Sequence, residues 1–383
     1  MNRSMTAAEN SYPMEPAGLY IHVPFCRRKC AYCDFYSITG TAGLTARWLA
    51  ALNLEASMYR SSFPAFDTVY IGGGTPSILD ADLLEVLMDR VVSWFSLNNG
   101  AEITIEANPC DIDQEKILLF QRMGFTRINL GVQSLSADVL QFLGRSHSVE
   151  TAAAALAQLE SKWPHSFGVD MIYGVPGQSE NHWLGDLEKA LAFGPDHVSC
   201  YQLSIEKGTR LYKLHAEGKF RLPGESFSAG LFTATSDFMA SHGYMHYEVS
   251  NFAATASVKS RHNLKYWHHV PYLGLGPSAH SFDGSRRWWN ARSVKRYCDA
   301  LESNTAPVEG AEVLSESDLT REAVFLGLRT SEGIALELVP ETKENLIFLE
   351  KGRHMRFLEI RDGKIIPTAK GLLVADYLAL SLC

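Results

Sequence analysis

Short apolar, β-branched runs recur through the first 205 residues of the chain. They read LYIHV (19–23), TVYIGG (68–73), EITIEA (102–107), TRINLGV (126–132), FGVDMIYG (167–174) and HVSCYQL (197–203). Between them, DADLLEVLMDRVVSWF (80–95), DQEKILLFQRMG (113–124) and TAAAALAQLE (151–160) carry apolar residues at helical spacing. Strand and helix alternating in this way predict an α/β fold, a parallel sheet wound with crossover helices. Six such units form an open sheet or a partial barrel, and in both architectures ligands gather at the carboxyl ends of the strands. Here those ends are polar or rich in glycine. Strand one leads into a cysteine cluster and strand two into GGGTPS. Strand three ends at Glu106, strand four at Gln133, and strand five at Asp170 followed by YGVPGQ.

Beyond residue 205 the pattern changes. HNLKYWHHVPYLGLGPSAHS (262–281) is dense in histidine, aromatics and glycine and predicts an irregular segment lining a site. Regularity returns near residue 305. SDLTREAVFLGLR (317–329) predicts a helix, FLEIRDGKIIPT (357–368) a hairpin turning at Asp362-Gly363, and AKGLLVADYLALSL (369–382) a helix. Helix, hairpin and helix suggest a small winged-helix-like tail. The expected organisation is an N-terminal arm over 1–16, a βα core over 17–250, an extension over 251–305 and the tail over 306–383.

Composition narrows the possibilities. The 383 residues are 46% hydrophobic and 20% charged, with a formal net charge of -8, ordinary values for a globular protein with a real core. A surface that tracks phosphates needs a basic excess, so nucleic acid is not expected as a main partner. No stretch reaches the ~18 unbroken apolar residues of a membrane span, and MNRSMTAAENSYPM lacks the apolar run of a secretory signal. The expected location is the cytoplasm, which leaves room for peripheral contact with a membrane.

Seven cysteines are present, and Cys26, Cys30 and Cys33 fall within the stretch PFCRRKCAYCDFYS. Free cysteine elsewhere is commonly a small buried hydrophobe, the reading taken for Cys110, Cys200, Cys298 and Cys383. Zinc sites usually pair CxxC knuckles, and no second knuckle exists; a redox CxxC needs only two cysteines. Three thiolates on one short loop suit one face of a 4Fe-4S cluster. A fully ligated cluster takes four cysteines, so three leave one iron open to a small molecule. Arg27, Arg28 and Lys29 within the loop either offset the negative charge of such a site or form a solvated run.

Cys-x3-Cys-x2-Cys after a first strand resembles the signature of the radical S-adenosylmethionine (radical SAM) superfamily. The resemblance implies a partial (βα)6 barrel in which the open iron chelates S-adenosylmethionine, whose reductive cleavage yields a 5'-deoxyadenosyl radical. LYIHVPFC, GGGTPS, IEANP, GVQS, LGRSH, DMIYGVPGQ, YEVSNFA, HNLKYW and GLGPSAHS, running from Tyr20 to about His280, are similar to the HemN/HemW group. By that resemblance Gly74 and Thr75 contact the methionine amino group, and Tyr20 lies near cluster and cofactor. Glu106 and Arg145 hold the methionine end or a second ligand, while Gln133 and Asp170 make polar contacts to the cofactor. Asp170 falls to the ribose, whose two hydroxyls can both donate to a carboxylate. An arginine fork in turn suits a carboxylate end. His22, two residues past Tyr20, reads equally as a satisfied core histidine.

The group has an oxidase branch, the oxygen-independent coproporphyrinogen III oxidases, and a heme-chaperone branch. The oxidases carry a further cysteine two positions after the third cluster cysteine, where this chain has Phe35, and a longer N-terminal arm than a strand starting near residue 19 allows. CDFYS and HNLKYW resemble the chaperone branch. That likeness implies bound heme or porphyrin, with His262 as axial ligand, Tyr266 and Trp267 as packing surface, and His280 facing cofactor or porphyrin. It further implies membrane hemoproteins as clients and a separate electron donor. The competing expectation is radical decarboxylation of coproporphyrinogen III to protoporphyrinogen IX.

Overall fold

A computed structural model describes residues 15–40, 43–63 and 65–383. The arm expected over 1–16 therefore lies outside the described residues, apart from Glu15 and Pro16. Six strands, β1 (Ala17–Val23), β2 (Ala65–Gly73), β3 (Ser96–Ala107), β4 (Arg127–Gln133), β5 (Ser166–Tyr173) and β6 (His197–Gln202), stand side by side in chain order. Each pairs in parallel with the next. The five crossovers that parallel pairing requires use α1 (Leu44–Tyr59), α2 (Ala81–Trp94), α3 (Gln114–Arg122), α4 (Ala137–Leu143) with α5 (Val149–Lys162) in one connection, and α6 (Glu180–Leu191).

Alternation along the strands decides what faces what. Leu19, Ile21 and Val23, Val69 and Ile71, Ile128, Leu130 and Val132, and Val169 and Met171 enter one core with Trp48, Leu84, Leu156 and Trp183 from the helices. The positions between them take the opposite face. There the strands carry Tyr20, His22, Thr68, Tyr70, Thr104, Glu106, Arg127, Asn129, Asp170 and Ser199. The helix-covered face is thus apolar and the inner face is polar, the arrangement of the expected partial barrel.

The sheet continues past both ends of the six strands. After α7 (Arg210–Ala216) and α8 (Glu225–Ser241), a hairpin of β7 (Met245–Glu248) and β8 (Asn251–Ala253) pairs antiparallel onto β6. The boundary expected at 250/251 falls between the two strands of this hairpin. The segment expected to be irregular is regular: HNLKYW lies in α9 (Arg261–Trp267), capped by Ser260, and YLGL forms β9 (Tyr272–Leu275), parallel to β1. Then β10 (His280–Phe282), β11 (Arg286–Asn290) and β12 (Val308–Val313) complete an antiparallel meander, with α10 (Val294–Glu302) between the last two. The glycines that suggested irregularity serve close strand approach: a Cβ on Gly274 would stand 2.1 Å from the His280 carbonyl oxygen.

A buried carboxylate ties this extension to the helix that follows the cysteine loop. Glu55 of α1 accepts hydrogen bonds from the Gly276 N–H at 2.9 Å, the Tyr297 hydroxyl at 2.5 Å and Asn290 Nδ2 at 2.5 Å. Burial pushes its carboxyl up to about 7, against the pull of those three donors.

The tail has its own core of Val324, Leu328, Leu349, Leu358, Ile365 and Leu378. It runs α11 (Glu316–Gly327), β13 (Ile334–Ala335), α12 (Lys343–His354), β14 (Leu358–Arg361), β15 (Lys364–Pro367), α13 (Ala369–Leu373) and α14 (Ala375–Leu382). Asp362 and Gly363 turn the β14–β15 hairpin with φ of 52° and 72°, both left-handed as a type I′ turn needs. Two features differ from expectation. The closing helix is broken at Val374, and α12 with β13 lies between the first helix and the hairpin.

Candidate functional site

The carboxyl ends of the parallel strands open into one cavity of about 440 Å³, a volume suited to a cofactor-sized molecule. Cys26, Cys30, Cys33, Gly74, Thr75, Glu106, Gln133, Arg145 and Asp170 all line it. Nine residues spread over 145 positions of sequence therefore meet at one place.

The cysteine loop is held by its backbone and neighbours, not by its sulfurs. Phe25, fully buried, packs edge-on against Trp48 at 5.6 Å. The Cys26 N–H donates to the Ile38 carbonyl at 3.0 Å, and the Ala31 N–H to Leu143 O at 3.1 Å. The Leu211 N–H, at the start of α7, donates to Ala31 O at 2.9 Å. These contacts leave the three thiols facing the cavity. Thr75 Oγ1 donates to Cys26 Sγ and Arg145 Nη1 to Cys30 Sγ, each at 3.4 Å. Donors aimed at sulfur favour thiolates. Burial pushes the Cys33 thiol up to about 11, and the two neighbouring cysteines add to the rise. Three cysteine sulfurs line one cavity and two of them meet hydrogen-bond donors, a set that fits an iron-sulfur cluster with one iron left open. Arg27 turns away to pair with Asp111 at 2.8 Å, while Arg28 and Lys29 line the cavity.

The glycines after β2 bring two chain segments into contact. The Gly74 N–H donates to Val23 O and the Thr75 N–H to Phe25 O, both at 2.8 Å. A Cβ on Gly74 would stand 2.6 Å from Phe25 O. This close seam sets the Thr75 hydroxyl beside Cys26. One strand further, Glu106 accepts from Tyr70 OH at 2.8 Å and from the Gly73 N–H at 3.0 Å. Burial, with Asp170 adding repulsion, raises its carboxyl to about 7. Asp170, opposite Ser199 in the register, is also raised by burial. Arg145 reaches back to Gly131 O at 2.6 Å. Gln133 sits at φ 70°, a left-handed backbone uncommon outside glycine, and is nearly buried. Two buried acids and an arginine thus line the same cavity.

Three expected residues lie elsewhere. Tyr20 does not line the cavity; it donates to or accepts from His22 Nδ1 at 3.0 Å and packs 6.2 Å from Tyr70, which does line it. His262 is buried, its Nδ1 2.8 Å from Thr68 Oγ1 and its Nε2 2.8 Å from Tyr266 OH. Both ring nitrogens are therefore engaged, and burial lowers its pKa to about 3. His280 is exposed on β10, stacked on Trp289 at 6.0 Å, and does not line the cavity. Its side chain leaves the sheet beside the meander, not at the strand ends. His22 is the core histidine: its Nε2 is 2.8 Å from Tyr36 O, and burial lowers its pKa to about 4.

Several lining residues were not anticipated, among them Tyr32, Tyr70, Asn129, Tyr201 and Asn263. Tyr70 and Asn129 were visible as inner-face positions on strands two and four, a few residues before the marked strand ends. Tyr32 and Asn263 depend on loop and helix placement, for which the strand pattern has no signal.

Residues 20–190 match the model of the radical SAM superfamily. A heme chaperone HemW of Mycobacterium tuberculosis is 36% identical over 371 residues, covering 95% of this chain and 94% of the relative. The Bacillus subtilis HemW is 32% identical over 82% of this chain and 84% of its own. The mitochondrial radical S-adenosyl methionine domain-containing protein 1 of Danio rerio is 30% identical over 94% and 85%. Among solved structures, coproporphyrinogen III oxidase HemN of Escherichia coli superposes with a TM-score of 0.82 over 97% of this chain and 91% of its own, at 22% identity. That match bears on the fold.

Proposed function

The chain belongs to the HemW family of the radical SAM superfamily, and from that premise we propose that it is a heme chaperone carrying a 4Fe-4S cluster and S-adenosylmethionine. Cys26, Cys30 and Cys33 hold the cluster. Thr75, Glu106, Arg145 and Asp170 hold the cofactor, which supplies radical chemistry when bound to the open iron. The protein binds heme and delivers it to membrane hemoproteins, with a separate electron donor serving the cluster. None of the helices among the described residues is long and apolar enough to cross a membrane. The observation that carries this reading is the likeness to heme chaperones along nearly the whole chain, together with Phe35 at the cavity mouth, where the oxidases have cysteine. Phe35 is 65% exposed, so the position is open to solvent.

The test is direct. Protein reconstituted without oxygen is given coproporphyrinogen III, S-adenosylmethionine and a reductant, and separately heme and an apo-hemoprotein. Transfer of heme with no protoporphyrinogen IX formed is the expected result; protoporphyrinogen IX would replace the chaperone by the oxidase.

Cofactor binding is expected to depend on pH through Glu106. Its raised pKa of about 7 leaves the carboxyl protonated below that value, whereas the cofactor's ammonium favours the carboxylate. Binding below pH 7 therefore releases a proton, and affinity falls about tenfold for each pH unit below 7. Above 7 the dependence levels off. Isothermal titration at pH 6, 7 and 8 measures the slope. Glu106→Gln should flatten it, and an unchanged slope in that variant would remove Glu106 from the cofactor contact.

A further inference from the structure

A second cavity, of about 560 Å³, lies between the sheet extension and the tail. Its walls are mainly Tyr266, Tyr272, Phe282, Phe325 and Leu326, with Arg287 and Arg321 also lining it. The α9 helix separates this cavity from the first: Asn263 lines the cofactor cavity and Tyr266 lines the second. The HNLKYW segment thus meets the second cavity through its tyrosine, while His262 is held behind it by the Tyr266 hydroxyl.

We infer that this second cavity is the heme site, with His269 as the iron ligand. The inference rests on the chaperone reading above and assigns that cargo to a place. Three observations carry it. The lining is aromatic and apolar, which suits a porphyrin face. His269 lines the cavity with its ring parallel to Phe282 at 4.4 Å and 4°. Its Nε2 sits 3.1 Å from Glu322 Oε2, which leaves Nδ1 to take a metal. A carboxylate on the far nitrogen is the usual partner of a metal-binding histidine, since it fixes ring and tautomer. Arg287 and Arg321 also line the cavity, Arg287 paired with Glu312 and Glu322 and Arg321 with Asp318.

Burial lowers the His269 pKa, with Glu322 pulling the other way. Cys383 lines the same cavity and offers the alternative ligand, a thiolate.

The experiment titrates hemin against the full, cluster-reconstituted chain and follows the Soret band by difference spectroscopy. Wild type should take one equivalent with a histidine-ligated band. His269→Ala should lose that band and bind at least about tenfold more weakly, with added imidazole restoring the band. Glu322→Ala should weaken binding on the order of tenfold to a hundredfold. Leu380→Trp, at an exposed position on the cavity wall, should block binding by filling it. Each variant should keep the 4Fe-4S absorption and the unfolding midpoint of wild type. Unchanged affinity and spectrum in both His269→Ala and Leu380→Trp would overturn the assignment while leaving a heme chaperone, and loss in His262→Ala would then place the cargo on that histidine. A thiolate-type band abolished by Cys383→Ser would likewise overturn His269. Wild type that binds no hemin would sink the chaperone reading and this site with it.

Discussion

Alanine in place of any one of Cys26, Cys30 or Cys33 is expected to abolish the 4Fe-4S absorption of anaerobically reconstituted protein and bring bound iron and sulfide to background. With three protein thiolates the cluster already has one open iron, and a second open corner leaves it without a closed face of ligands. The loss should not come from unfolding. The loop is anchored by Phe25 against Trp48 and by backbone hydrogen bonds at Cys26 and Ala31, none of which uses a sulfur. Thermal unfolding of the apo variants should therefore stay close to apo wild type. A normal cluster in Cys26→Ala would remove that residue from the ligand set. Thr75→Val, which deletes only the hydroxyl donating to Cys26, provides the graded comparison, since it leaves all three ligands in place.

Gly73→Ala should be the most destabilising single methyl at this site, by about 3–5 kcal/mol in chemical denaturation of the apo protein. Two costs add. Gly73 has φ 108°, outside even the left-handed region that other residues visit. An added Cβ would also stand 2.5 Å from the His22 ring. That ring cannot swing aside cheaply, because it is buried and bonded at both nitrogens, to Tyr20 OH and to Tyr36 O. Gly124→Ala is the control: its φ of 78° is also positive, but nothing lies within 4 Å of the added methyl. It should cost only the backbone term, about 1–2 kcal/mol. Equal losses in the two variants would show that the His22 contact contributes nothing.

How far the sequence could be read depended on whether a feature was local. The six parallel strands were legible because Leu19-Ile21-Val23 and Ile128-Leu130-Val132 alternate with polar residues over a few positions. The strand ends were legible for the same reason, and Glu106, Gln133 and Asp170 do meet in one cavity with the cysteines. The Asp362-Gly363 turn was legible because its backbone demand is met by two adjacent residues. What the pattern missed depended on distant partners. β9 is four residues whose strand character comes from pairing with β1, more than 250 positions earlier. Val374 breaks the last helix although nothing in AKGLLVADYLALSL excludes a continuous one. His262 looked available because histidine beside tyrosine and tryptophan suits heme. Its burial follows from Thr68, on a strand nearly 200 residues away.

The position of β1 bears on how the chain is made. Among the described strands β1 is made first, yet its two flanks are filled at very different times: β2 follows at once, while β9 appears only after some 250 more residues. The Glu55 anchors at Gly276, Asn290 and Tyr297 arrive later still. Through most of synthesis the strand that bears the cysteine loop is thus an open edge, with unpaired N–H and C=O groups ready to recruit another chain. Closure of that edge comes late, so a nascent chain stalled before residue 272 has its cysteines but not the second wall that seats them.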